Sequence, residues 1–264
     1  MATRSRHNIH QLDDNLRYRG SVAPTNSAFA NKLAASAALS PQELALVERE
    51  ATGARGFVAH RDLISEGDKP GPVYLVLEGW ACRYKVLPDG SRQIMAFLMP
   101  GDFCDMHVGV LDEMDHSIGT ITPCQVVMIP RERMDALIVA TPALTRAFWR
   151  TQLVDEGVLR AWIVSMGRRD AVQRVAHLML ELYIRMRNVG LASDDRANVP
   201  LTQTVLADAL GLTPVHVNRV LRVLRERGAM TLGYGTLAIQ NGAELARIAG
   251  FDANYLHRRV AEPA

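Results

Sequence analysis

The chain has 264 residues, 48% hydrophobic and 22% charged, with a net charge of +2, the profile of a soluble globular protein long enough for two domains with separate cores. No apolar run approaches the ~18 residues that span a bilayer, and the opening MATRSRHNIHQLDDNL lacks the apolar core of a signal peptide, so a cytoplasmic location is expected. Cys82, Cys104 and Cys124 stand far apart without a C-x-x-C pair, which argues against a disulfide framework and a zinc site and leaves small buried hydrophobes, or redox sensors, as their readings.

Residues 1–40 are expected to be an N-terminal extension, flexible or loosely docked up to about residue 30, where the chain is polar, aperiodic and contains Gly20, Pro24, Asn26 and Ser27. Ser40-Pro41-Gln42-Glu43 is a capping box with proline at the first helical position, and it opens a helix through about Glu50. From Arg55 to Ile129 the pattern changes to short strands and turns. Val73 to Leu77 is a compact apolar run, and Trp80, Cys82, Tyr84 and Val86 alternate with Ala81, Arg83, Lys85 and Leu87. Asp89-Gly90 predicts a two-residue hairpin, followed by alternation over Arg92 to Met99 and by strands over Ser117 to Thr122 and Gln125 to Ile129. Short, evenly spaced strands with glycine turns predict a jelly roll or similar sandwich enclosing a ligand-sized interior, a sensor domain over residues 41–140.

A short helix over about Arg131 to Ile138 leads to Thr141-Pro142, another hydroxyl-proline helix start. The helix beginning there runs to about Arg168, some 40 Å at ~1.5 Å per residue. Its stripe of Leu144, Ala147, Phe148, Thr151, Val154, Val158, Ala161, Trp162 and Ser165 is longer than one small sandwich needs. Leu144, Phe148, Thr151, Val154, Val158, Trp162 and Ser165 are therefore candidate contacts of a dimerisation helix over 141–169, the alternative being a helix lying on its own domain. Asp170 and Gln173 form a second capping box, taken as the start of a domain over 170–264. Its first helix carries Val172, Val175, Ala176, Met179, Leu182, Tyr183 and Met186 inward and ends near Gly190, before a polar loop from Ser193 to Asn198.

Leu201 to Arg227, LTQTVLADALGLTPVHVNRVLRVLRER, reads as a helix-turn-helix. Thr202 caps a first helix with Val205, Leu206, Ala207 and Leu210 mostly on one face, Gly211 breaks it, and Thr213-Pro214 starts the second. There Val217, Val220, Leu221 and Leu224 form an apolar stripe, leaving His216, Asn218, Arg219, Arg222 and Arg225 outward or flanking. Groove recognition requires this division, because arginine bonds bidentately to guanine, asparagine to adenine, and further arginines hold phosphates. Arg219, Arg222, Arg225 and Arg227 face only Glu226, so the local charge is basic although the total is small. Thr202, Gln203, Thr213, Val215, His216, Asn218, Arg219 and Arg222 are the candidate DNA-facing residues; two packed helices with a solvated polar face are the alternative. Met230 to Ile239 reads as two short strands around a glycine-flanked turn, the wing of a winged helix, and Ala243 to Ala249 as a short helix before a tail with His257, Arg258 and Arg259.

This order is an α+β chain with a β-roll, a long helix and a winged helix-turn-helix, and it resembles the Crp/Fnr family of bacterial transcription regulators from about residue 40 to 240. The resemblance is carried by Leu63-Ile-Ser-Glu-Gly-Asp68, Tyr74-Leu-Val-Leu-Glu-Gly79, Pro100-Gly-Asp-Phe103 and Leu201 to Gly228. It implies a homodimer joined by the long helix, an effector domain like those that bind cyclic nucleotides, a palindromic DNA operator and, for an activator, RNA polymerase as partner. Its closest flavour is that of FixK-like members, some of which act without a small ligand.

Arg83, Met106, His116, Ser117, Leu159 and Arg160 are the candidate effector-pocket residues. In cyclic-AMP-binding members a glutamate holds the ribose and an Arg-Ser pair the cyclic phosphate; here Met106 stands at the glutamate and His116-Ser117 at the pair, with Asp105 the acidic residue nearby. Leu159-Arg160 replace the hydroxyl pair that reads adenine. Losing the bidentate cation and the ribose acceptor removes the charge-assisted bonds that tighten phosphate binding, so no cyclic AMP response is expected. An iron–sulfur sensor needs four cysteines and the chain has three, while haem or another small effector stays open through His107, His116 or a cysteine.

On the recognition helix the family often carries Glu-x-x-Ser/Gly-Arg, where this chain has Val215, Asn218 and Arg219. Valine offers only an apolar contact where glutamate accepts from cytosine, so an operator altered at that base pair is expected, with Arg219 still reading guanine. A cupin-like metalloenzyme would need a His-x-His pair, a glutamate and a later histidine, which Met106-His107-Val108 and His116 do not supply; neither an enzyme nor a metal site is expected. The other alternative is a cyclic-nucleotide-like binding module with degenerate DNA binding, against which Arg219 and the wing argue.

Overall fold

A computed structural model describes residues 27–104, 106 and 110–257. The expected extension up to residue 26, Asp105, His107 and the basic tail at Arg258 and Arg259 lie outside the described residues. The chain divides into two compact units, one ending at Glu156 and the other beginning at Gly157.

The first unit opens with α1 (Ala28–Ser36), capped by the Ser27 hydroxyl, and α2 (Pro41–Glu50), whose predicted box is formed by Ser40 and Glu43. Helix α1 corrects the expected extension. Phe29, Ala30 and Leu33 are fully buried, and the Phe29 ring lies 5.8 Å from that of Phe103 and 6.4 Å from that of Phe148. Lys32 fixes the same helix to the Pro100–Phe103 turn, donating to Asp102 at 2.7 Å, while a second Asp102 oxygen accepts from the Met99 amide at 2.9 Å.

The strands are β1 (Arg55–Phe57), β2 (Asp62–Ile64), β3 (Val73–Glu78), β4 (Ala81–Val86), β5 (Arg92–Leu98), β6 (Phe103–Cys104), β7 (Ser117–Thr120) and β8 (Cys124–Ile129). They form two antiparallel four-stranded sheets, in orders β1-β8-β3-β6 and β2-β7-β4-β5. The uninterrupted apolar run of β3 follows from burial on both faces. Val73 and Leu75 join the helix-side core with Phe103 and Val127, whereas Tyr74 and Val76 point between the sheets with Ile64, Leu98, Cys104, Met114 and Ile118. Side chains from both sheets thus meet in the space between them. The β4–β5 loop also differs from expectation. Gly90 N–H donates to the Leu87 carbonyl and Leu87 N–H to that of Ser91, so Pro88 to Gly90 form a three-residue turn, proline setting its first backbone angle.

Helix α3 (Arg131–Val139) precedes α4 (Pro142–Arg168), whose start is held by the Thr141 hydroxyl accepting from the Leu144 amide at 3.2 Å; that hydroxyl also donates to Glu43. The second unit contains the last part of α4, then α5 (Ala171–Asn188), β9 (Arg196–Asn198), α6 (Gln203–Leu210), α7 (Pro214–Glu226), β10 (Met230–Gly233), β11 (Thr236–Ile239), α8 (Gly242–Ala249) and a 3-10 turn, Ala253–Leu256. Strand β9 pairs with β11 where a polar loop was expected, completing a sheet of order β10-β11-β9.

Residues 157–168 of α4 belong to the second unit. Trp162 donates its indole N–H to Glu181 at 3.0 Å, Tyr255 its hydroxyl to the same carboxylate at 2.9 Å, and Arg169 bridges the Ser165 hydroxyl at 3.0 Å to the Ala249 carbonyl at 3.2 Å. Gly157 permits this closeness: a Cβ there would meet the Tyr255 carbonyl oxygen at 2.8 Å.

Candidate nucleic-acid interface

Helix α5 is the platform of the second unit. Asp170 and Gln173 form the predicted box at its start, and Val175, Ala176, Met179, Leu182 and Tyr183 are fully buried. Arg174 extends from it to donate to the Leu210 carbonyl at 2.7 Å, satisfying an end of α6 that would otherwise lack a partner. Sequence reading did not assign this arginine a role, although a cation four residues past an N-cap is free to cap a neighbouring helix.

The two motif helices are capped as expected. The Thr202 hydroxyl accepts from the Val205 amide and the Thr213 hydroxyl from the His216 amide, each at 3.2 Å. Between them Gly211 adopts a left-handed conformation, φ +60°, which a side chain would resist. Val205, Leu206, Ala207 and Leu210 of α6 pack inward, as do Val217, Val220 and Leu224 of α7, while Leu221 is half-buried.

Of the candidate DNA-facing residues, Thr202, Gln203, Thr213, Val215, Asn218, Arg219 and Arg222 are exposed and His216 is half-buried. Val215 is 79% exposed, an apolar side chain in the first turn of a helix whose other valines are inside or half-inside. Asn218, Arg219 and Arg222 share the outward side of α7, where Arg222 has an exposed partner in Glu226 at 3.9 Å. Such a surface pair contributes little and yields readily to a phosphate. The structure therefore presents one helix face with an apolar group, an amide and guanidinium groups in sequence, suited to a thymine methyl, adenine, guanine and phosphates.

Beneath this surface lies a buried polar group that the sequence did not reveal. Burial pushes the Glu181 carboxyl up, with Arg185, Trp162 and Tyr255 acting in the opposite direction. Burial, with a smaller effect from Arg169, lowers His177 to about 3, so its ring is neutral; it stacks on Tyr255 at 5.8 Å and sits 4.9 Å from Phe251.

The candidate effector residues fall on different elements. Arg83 and Ser117 fall on adjacent strands, where Arg83 is opposite Ile118 and Tyr84 opposite Ser117. The Ser117 hydroxyl accepts from the Glu66 amide at 2.9 Å, and His116 Nδ1 lies 2.6 Å from Asp115. Met106 is buried in the helix-side core instead of lining the space between the sheets, and it supplies no ribose acceptor. Leu159 and Arg160 are exposed on α4.

Most of the expected dimer contacts on α4 are covered within the chain itself. Leu144, Phe148 and Thr151 are essentially inaccessible, Val158 and Ser165 are buried, and Val154 and Trp162 are half-buried. Phe148 meets Phe29 and Phe103, Thr151 bonds Ser36 at 3.3 Å, and Trp162 bonds Glu181. A different apolar face is exposed, carrying Trp149, Leu153, Leu159, Ile163 and Met166.

Two family models match the chain, a cyclic nucleotide-binding domain over residues 54–141 and a Crp-like helix-turn-helix domain over 173–248. The nitrogen fixation regulation protein FixK of Bradyrhizobium diazoefficiens is 33% identical over 194 residues, 73% of this chain and 80% of that protein. The transcriptional activator protein FnrL of Cereibacter sphaeroides is 26% identical over 204 residues, 76% of this chain and 82% of that protein. Among solved structures, FixK2 from Bradyrhizobium japonicum superposes with a TM-score of 0.63 at 25% identity, covering 75% of this chain and 98% of that one. Together with the two matched domains in their order, this similarity shows that the chain belongs to the Crp/Fnr family of DNA-binding transcription regulators.

Proposed function

We propose that this regulator binds a palindromic operator as a homodimer, that Arg219 reads a guanine in each half-site, and that no cyclic AMP is required. The carrying observation is the exposed Val215, Asn218, Arg219 and Arg222 face of α7, held by the Thr213 cap below and the buried Val217, Val220 and Leu224 behind. Valine at the first of these positions favours a thymine methyl where a glutamate would accept from cytosine. The absence of a ribose acceptor at Met106 supports independence from cyclic AMP. No helix among the described residues is long and apolar enough to cross a membrane, in keeping with action on DNA in the cytoplasm.

The dimer forms through the exposed face of α4. Trp149, Glu156 and Ile163 are seven apart, with Leu159 and Met166 on the adjoining line, so the face has the heptad spacing of a two-helix seam. Pairing of these helices places two recognition helices about 34 Å apart, the spacing of successive major grooves on one side of DNA. The test is selection from a randomised duplex pool with purified protein and no added effector, at stated salt, beside Arg219→Ala. Enrichment of a palindrome by the wild type and its loss in the variant is the expected result. Enrichment that needs added cyclic AMP would overturn the effector reading, and an unchanged preference in the variant would remove the Arg219 assignment.

A further inference from the structure

Glu181 of α5 is 0% exposed, and no single element accounts for its place. A carboxylate taken out of water is costly unless hydrogen-bonded, and apolar groups would fill the same volume more readily. Its bonds come from two other parts of the chain, the Trp162 indole of α4 at 3.0 Å and the Tyr255 hydroxyl of the 3-10 turn at 2.9 Å. Arg185, one turn along α5, stands 3.6 Å away. The carboxylate is therefore satisfied only when α4, α5 and the 3-10 turn take up one mutual arrangement.

The C-terminal segment holds α4 at further points. The Tyr255 carbonyl oxygen comes so close to Gly157 that a Cβ there would stand 2.8 Å from it. Arg169, between α4 and α5, donates to the carbonyl of Ala249, the last residue of α8, at 3.2 Å. Between these two points the His177 ring of α5 stacks on Tyr255 at 5.8 Å and meets Phe251 at 4.9 Å. Gly157 and Arg169 are about 18 Å apart along the helix, and a rod fastened at both ends of such a length cannot pivot at the Arg169-Asp170 junction. Residues 249–256 belong neither to α6 and α7 nor to the wing, and they lie beyond the matched helix-turn-helix domain, which ends at residue 248. Resting on the reading of α7 as the recognition helix and of α4 as the dimer helix, we propose that this C-terminal segment is an intramolecular latch. It holds α4 and α5 at one angle, so that the recognition helices are set for DNA without an effector.

Gly157→Ala tests the latch with its own control. Alanine is the better helix former, so the change favours α4 itself and the close approach of Tyr255 opposes it. Gly167→Ala makes the same change in the same helix, where a Cβ meets nothing within 4 Å. Full-length wild type and variants, shown to be dimers by sedimentation, are compared by hydrogen exchange and by fluorescence anisotropy on the duplex recovered by the wild-type selection without effector. In Gly157→Ala the amides of residues 166–172 should exchange at least about ten-fold faster while α6 and α7 stay protected. DNA affinity should fall at least about ten-fold, as the competent orientation becomes a minor population. Gly167→Ala should match wild type in both. Tyr255→Phe, which keeps the ring and loses the hydroxyl bond, should move both readouts in the direction of Gly157→Ala. Wild-type exchange at the junction in Gly157→Ala would overturn the latch, as would faster exchange with undiminished affinity, or exchange raised alike from α5 through α7. Should Gly157→Ala fail to form the dimer, Tyr255→Phe decides by the same two readouts. A wild type that selects no duplex would overturn the reading of α7, whereas the exchange contrast still decides whether the segment holds the junction.

Discussion

Helices α7 and α4 both carry apolar residues at helical spacing, yet only one could be phased from the sequence. In α7 the apolar positions Val217, Val220 and Leu224 fall on one side and nearly everything else is polar, so a single orientation satisfies burial. Helix α4 is apolar on two sides. Leu144, Phe148, Thr151 and Val158 face inward, while Trp149, Leu153, Leu159 and Ile163 face outward, so either stripe could have been taken for the core. Val215 on α7 and Ile163, 71% exposed, on α4 are outward apolar residues, and each lies in a surface proposed above to meet a partner.

The sharpest way to break this comparison is to charge one face of α4 and truncate the other. Ile163→Glu should leave the monomer folded but convert the dimer to monomers in sedimentation, and DNA affinity should fall about 100-fold or more as two linked half-site contacts become independent. Phe148→Ala should do the reverse, costing about 3–5 kcal/mol of stability in denaturant unfolding through the cavity among Phe29, Phe103 and Phe148. Dissociation caused by Phe148→Ala in protein that is still folded, with Ile163→Glu still dimeric, would restore the inner stripe as the dimer contact.

A pH experiment probes the base of the DNA-binding unit. His177 has a pKa lowered from 6.5 to about 3 in the fold, so the unfolded chain takes up a proton that the folded chain refuses. Its contribution is present above pH 6.5 and is lost as pH falls toward 3, with a slope of at most about 1.4 kcal/mol per pH unit. The melting temperature of His177→Leu should accordingly fall less than that of wild type between pH 6.5 and 4. Parallel curves would show that other groups govern the acid limb.

These results also separate what was legible from what was not. Every capping box read from the sequence forms, because Ser40, Asp170 and their partners act within one turn of chain. The two motif helices, the wing and strands β3, β4, β5, β7 and β8 were legible for the same reason, having local periodicity and turns, whereas β1, β2 and β6 are too short to show either. Helix α1 was missed because Phe29, Ala30 and Leu33 are too few to show a period beside a polar stretch, and β9 because Arg196, Ala197 and Asn198 carry no alternation. Glu181 was hidden by its chemistry. A carboxylate reads as surface, and its burial depends on Trp162 and Tyr255, which lie far from it in sequence.

On α7 the comparison narrows to single bases. Arg219→Ala should cost about 1–3 kcal/mol at one base pair and relax the preference there, whereas the same change at Arg222 should weaken all duplexes alike and reduce the salt slope by about one. Val215→Glu should move the preference at its own base pair toward cytosine, since a carboxylate accepts from the cytosine amino group. Unaltered selections from both Arg219→Ala and Val215→Glu would mean that the exposed face of α7 is solvated and not inserted.

The smallest expected effect discriminates most finely, because Thr213 belongs to both sides of the argument. Its hydroxyl accepts from the His216 amide, and its exposed position makes it a candidate DNA-facing residue. Thr213→Ala should cost about 1 kcal/mol of stability through the lost cap. Thr213→Asp should keep the cap, since a carboxylate accepts the same bond and favours a helix N-terminus. If the N-terminal end of α7 is inserted into the groove, that carboxylate faces phosphates, and DNA affinity falls in the variant with normal stability and not only in the destabilised one. If instead both variants bind in proportion to their folded fraction, Thr213 is a cap alone and the contact surface of α7 begins at Val215.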